Sequence, residues 1–147
     1  MFKSECDLRI YGHREWVVLA VIEWLSARIR VLVQKGFITD LASIPRLLRA
    51  VFDVNGPSRL PGVLHDWLYC TGQDADGNSI TRRQADDLFR EALAACGVGL
   101  IARNLYWSAV RTFGWIYWDR RTADPLNLDD FVPIGYFAAH GLEEGTQ

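Results

Sequence analysis

The chain has 147 residues, of which 50% are hydrophobic and 23% charged, and a formal net charge of −2. That length suits one domain with a core of useful size, and the composition excludes a disordered chain. The charge balance excludes a nucleic-acid binder that works by bulk positive charge. The longest apolar run, Trp16 to Leu25, is interrupted by Glu23 and is too short for a membrane span. Met1-Phe2-Lys3-Ser4-Glu5 lacks the basic-then-apolar layout of a secretion signal. Cys6, Cys70 and Cys96 are an odd set with no CxxC spacing, which excludes a disulfide framework or zinc knot and predicts buried thiols.

Residues 15–40 form the β region. Trp16-Val17-Val18-Leu19-Ala20-Val21-Ile22 reads as one buried strand. Arg28 to Gln34 alternates, with Ile29, Val31 and Val33 on one side, and together the two suggest a hairpin or small antiparallel sheet. Gly36 allows a turn before Phe37-Ile38-Thr39-Asp40. A helix over 43–53 follows, with Ser43 as cap and Pro45 in its first turn. Asn55-Gly56-Pro57-Ser58 ends it, and a second helix spans 60–70.

The polar run from Thr71 to Ser79 is a loop. Its Asp74, Asp76 and Asn78 have the alternation of a calcium loop, but Gly77 is misplaced and Ala85 stands where the bidentate Glu belongs. Thr81 and Gln84 make a capping box for a helix over 81–96. Its apolar stripe is Ala85, Leu88, Phe89, Ala92, Leu93 and Cys96. At about 100° per residue, Asp86 falls at the inner edge of that stripe and Asp87 faces solvent. A long helix is predicted over 100–119, with Leu105, Ala109, Phe113 and Ile116 toward the core. Residues 124–147 read as irregular, with Phe131, Val132, Ile134, Tyr136 and Phe137 apolar enough to dock beneath that helix. The expected fold is one α+β domain: a small N-terminal antiparallel sheet packed on three to four helices.

His65-Asp66-Trp67-Leu68-Tyr69 and Ala85-Asp86-Asp87-Leu88-Phe89 carry the chemistry. His65 and Tyr69 are four apart and share a helix face. If the two helices run antiparallel, Asp86 can reach His65 and fix one ring tautomer, leaving the other nitrogen to take a proton from water. Asp66 is turned toward a neighbouring loop, where it could hold calcium with backbone carbonyls; Asp40 is a further candidate ligand. Calcium there would polarise an ester carbonyl, and no Ser or Cys nucleophile is needed. The alternative for His65 and Asp86 is a buried cross-link between helices. For Thr39, Asp40 and Ser43 the choice lies between lining the His65 pocket and simple turn and cap roles.

HDxxY followed by ADxxF resembles the catalytic helix pair of phospholipase A2 enzymes, over about Leu60 to Cys96, and the disulfide-poor version in parvoviral capsid proteins looks closest. The resemblance implies His65 as general base, Asp66 as calcium ligand, and Tyr69 and Asp86 in the network behind the His. Over roughly Trp16 to Gly114, Gly36-Phe37-Ile38-Thr39-Asp40-Leu41-Ala42-Ser43-Ile44-Pro45-Arg46, Leu64 to Tyr69, and Arg83-Gln84-Ala85-Asp86 resemble a family of small phage and prophage proteins of unassigned function. That resemblance implies a phage origin, hence the cytoplasm of an infected bacterial cell, or a virion.

Three functions follow as expectations. One is a phage-encoded, calcium-dependent ester hydrolase acting at a phospholipid surface. The second is a virion or tail-assembly component that meets phage structural proteins and reuses the helix pair as scaffold. The third is an inhibitor that grips a host protein through Trp107, Arg111 and Trp118, which fall together on the last helix opposite Leu105 and Ala109. The same Trp and Arg face also suits lipid headgroups, and packing beneath the chain's own tail is the plainer alternative.

Overall fold

A computed structural model describes residues 1–3, 7–13, 15–40, 56–118 and 128–142. The helix expected over 43–53, with Ser43 and Pro45, lies outside the described residues, as does Cys6. The architecture is α+β. Strands β1 (Leu8–Ile10), β2 (Trp16–Val18) and β5 (Ile38–Thr39) form a three-stranded sheet in the order β1-β2-β5; β3 (Ile22–Leu25) and β4 (Arg30–Val33) form a separate hairpin. All pairings are antiparallel, with Leu8 opposite Val18, Trp16 opposite Thr39, and Ile22 opposite Val33.

The apolar run 16–22 is therefore two strands in two sheets, which corrects the single strand expected there. The chain leaves β2 after Val18, whose N–H and C=O bond Phe37 and Gly36, and Val21 is 49% exposed before β3 begins. A period-two pattern cannot see a change of partner inside an apolar run. Strand β1 is short and half polar and gave no pattern to read.

Helix α1 (Arg59–Thr71) lies between the sheets and α2 (Arg82–Ala95), touching β4 and β5 on one side and α2 on the other. Every residue from Pro61 to Tyr69 is buried as a result. Pro61 is tolerated because the first helical turn needs no N–H donor there. Gly72 ends α1 in the left-handed region at φ 62°, where its N–H reaches the Leu68 carbonyl. Helix α2 begins with the expected capping box, Thr81 and Gln84 each closing on the other's backbone. Its stripe of Ala85, Leu88, Phe89, Ala92 and Leu93 is buried as read, each large side chain stabilising by roughly 1.5–3 kcal/mol.

Helix α3 (Leu100–Phe113) is shorter than the predicted 100–119; a turn at Gly114 is followed by one more helical turn over 115–118. Its buried face is Tyr106, Ala109 and Val110, whereas Leu105, Phe113 and Ile116 are exposed at 46%, 47% and 38%. Of the four expected core positions only Ala109 is inside. A helix with large apolar groups all round offers no single stripe to rank. The C-terminal segment, with a 3-10 turn (Leu128–Asp130) and the one-turn helix α4 (Tyr136–Ala139), docks on the sheet instead of beneath α3. Phe131 bridges to Phe37 and packs edge-on to Phe37 and Trp67, and Val132 N–H bonds the Gly36 carbonyl. Ile134 is fully exposed.

Candidate functional site

Helices α1 and α2 bring His65 and Asp86 into contact, both with fully buried side chains. His65 Nε2 lies 2.9 Å from Asp86 Oδ1, and the Tyr69 hydroxyl donates to the same oxygen at 2.6 Å. The His65 ring is held between Tyr69 and Phe89, with ring centroids 4.1 and 4.7 Å away. The i,i+4 spacing on α1 and the inward register of Asp86 on α2 produce this geometry directly from the sequence.

The other Asp86 oxygen is taken by a residue the sequence assigned elsewhere. Arg111 Nη1 donates to Oδ2 at 2.8 Å from α3. Arg82 Nη1 stands 3.8 Å from the same oxygen and also donates to the Val110 and Arg111 carbonyls, which lack helical partners at the end of α3. One signal pointed to this role: Arg111 has no acid three or four residues away on its own helix, so its charge had to be met from another element.

Burial works to raise the Asp86 carboxyl, but the hydrogen bonds from His65, Tyr69 and Arg111 and the charge of His65 outweigh it and hold the carboxyl below its usual range. Burial, then the adjacent Asp86, pushes the Tyr69 phenol well above its ordinary value, so it stays a donor. An ionised Asp86 only accepts, which places a proton on His65 Nε2. In the neutral ring Nδ1 then carries the lone pair, and it has no hydrogen-bond partner among the described residues. A buried acceptor left unmet costs about 1–3 kcal/mol and calls for an explanation.

Asp66 is buried on the next face of α1 and accepts the Thr39 hydroxyl at 2.5 Å. Thr39 thus lies beside the His-Asp helix, while Asp40, one residue on, is exposed on the other face. Calcium takes six to eight oxygens. The described residues bring one carboxylate to Asp66, with an oxygen already engaged, and hold no group of three His, Cys, Asp or Glu fit for a metal. This donor set does not by itself fit calcium. In the 71–79 loop, Asp74 bonds the Asp76 and Asn78 N–H groups and the Asn78 amide, closing the turn on itself.

The three residues expected on a partner face all make contacts within the domain. Arg111 holds Asp86, Trp107 Nε1 donates to Asp87 at 2.9 Å, and Trp118 packs edge-on to Tyr69 at 5.2 Å. Cys70 and Cys96 are half-buried; burial, then Asp66, pushes the Cys70 thiol up to about 12, so it is inert as a nucleophile near neutral pH.

A family profile for proteins of unknown function, DUF1353, matches residues 16–110, well over half of the chain. The chain belongs to that family. The DUF1353 span contains Thr39, His65, Asp66, Tyr69 and Asp86, and stops one residue before Arg111. No curated protein and no solved structure matches the chain.

Proposed function

We propose that this chain is an ester hydrolase of the phospholipase A2 type, working through His65 and Asp86. The observation that supports it is the division of labour on one imidazole: Nε2 is tied to an ionised carboxylate, and Nδ1 carries an unmet lone pair. Nδ1 takes a proton from water, and the water oxygen bonds to the acyl carbon. The bond to the alcohol oxygen then breaks, and the proton passes from Nδ1 to that oxygen, giving acid and alcohol. Asp86 stabilises the imidazolium between the two steps, and Tyr69 and Arg111 hold Asp86 in place. No step runs through a cation, because the described donors around Asp66 do not assemble a calcium site.

The test is fatty-acid release from phosphatidylcholine and phosphatidylglycerol vesicles by the full chain, with calcium and with chelator. Release by the native protein, falling at least about 100-fold in His65→Gln, is expected. Folded native protein that is inert on both lipids in both buffers overturns the reading.

The complete burial of His65 and Asp86 favours a second reading, in which the pair only fastens α1 to α2 and the chain is a component of a phage particle. The phage setting rests on the resemblance of the Gly36–Arg46, Leu64–Tyr69 and Arg83–Asp86 motifs. Mass spectrometry of purified particles tests it, and absence of the chain from them counts against it.

A further inference from the structure

Among the described residues, eleven large hydrophobic side chains are exposed, and six of them lie between residues 100 and 116: Leu100, Ile101, Leu105, Phe113, Trp115 and Ile116. Ile101 is 87% exposed and Trp115 54%. At about 100° per residue, Ile101, Leu105, Thr112, Trp115 and Ile116 share one outer stripe roughly 20 Å long. The helical turn after Gly114 continues that line, since Trp118 N–H still bonds the Gly114 carbonyl at 3.0 Å. No described helix is long and apolar enough to cross a membrane.

Charge beside this stripe has one sign. Residues 97–118 contain Arg103 and Arg111 and no acid. Arg90 of α2 is brought alongside, donating to Asn104 at 2.9 Å with its guanidinium 5.4 Å from the Trp107 ring centre. The neighbouring acids of α2 are engaged within the domain: Asp86 by His65 and Arg111, Asp87 by Trp107, and Glu91 by the Ser26 hydroxyl. Around the helix from the stripe, an open groove of about 540 Å³ is bordered by Arg83, Arg90 and Arg103.

We infer that the outer face of α3 docks in the plane of an anionic lipid surface. The apolar stripe enters the headgroup boundary, Trp115 sits at the interface, and the arginine-bordered groove takes phosphate headgroups. A second copy of the chain fits less well, because pairing this face with itself sets arginines against arginines. The inference rests on exposure and charge alone and does not require ester hydrolysis.

Vesicle co-sedimentation of the full chain tests it, using phosphatidylcholine with and without phosphatidylglycerol. Binding to the anionic vesicles is expected, weakening with salt and falling at least about tenfold in Ile101→Glu/Trp115→Glu. Arg90→Gln/Arg103→Gln reduces the preference for anionic over neutral vesicles, and Ile134→Glu, exposed away from the face, changes nothing. These positions are exposed or half-exposed, so the variants fold. Absence of binding to anionic vesicles, or equal binding by Ile101→Glu/Trp115→Glu, overturns the inference. So does a dimer in light scattering that the double variant dissolves while vesicles stay unbound, which gives the face to a second copy. Binding is read without turnover, so an inert enzyme and a non-docking face are separate results.

Discussion

Arg111 on α3 and Asp86 on α2 meet at 2.8 Å, 25 residues apart in the chain. This contact joins the third helix to the pair that carries His65. Asp86 thereby accepts from α1 through His65 and Tyr69 and from α3 through Arg111, and it becomes the common point of three helices.

Asp86→Asn tests that position. The amide keeps the shape but removes the charge, and one side of it now presents N–H groups to donors. Breaking a buried ion pair by removing one partner costs about 3–5 kcal/mol. Arg111 is 28% exposed and can turn to water, so the lower end, about 3 kcal/mol, is expected in urea unfolding. A loss below about 1 kcal/mol would mean the network contributes little.

The same carboxylate sets a pH dependence. Its folded pKa is held below the unfolded value of about 3.9, so its stabilisation is fully present above that pH. It is lost as pH falls through the lower folded value. The gap in melting temperature between native protein and Asp86→Asn is therefore constant from neutral pH to about 5 and narrows below about 4. A gap that widens on acidification has the wrong sign and refutes the assignment.

Much of this centre was legible because its signals are local. His65 and Tyr69 sit at helical spacing, Asp86 lies at the edge of a clean stripe, and Thr81 with Gln84 announces the start of α2. Arg111 was not, because its partner lies on another helix, and a lone cation beside two tryptophans also reads as an interface. The inner face of α3 was misread for a related reason. Leu105 and Phe113 are as apolar as Tyr106 and Val110, and only packing against α2 decides which pair is inside. The break between β2 and β3 is equally non-local, since it depends on Phe37 and Gly36 completing the ladder at Val18.

Thr39→Val removes a hydroxyl that donates to the buried Asp66 carboxylate and replaces it with a methyl of similar size. Loss of a donor to a buried acceptor costs about 1–3 kcal/mol. Thr39→Ser keeps the hydroxyl and recovers most of that. Equal stability of the two variants in thermal unfolding would show that the hydrogen bond is immaterial and that only the shape at β5 counts.

Gly114 is the tightest approach between α3 and the His-Asp centre. A Cβ built there overlaps the Tyr69 hydroxyl and the Val110 carbonyl. The φ of −65° is ordinary, so the glycine is required by space and not by backbone conformation. Gly114→Ala must displace Tyr69 from Asp86 or push the 115–118 turn outward. Overpacking of this kind costs about 1–3 kcal/mol. Tyr69→Phe removes the clashing oxygen along with its bond to Asp86, so in the Gly114→Ala background it costs less than it does alone. A double-mutant cycle in urea measures the difference, and two additive losses would mean that Gly114 and Tyr69 do not press on each other.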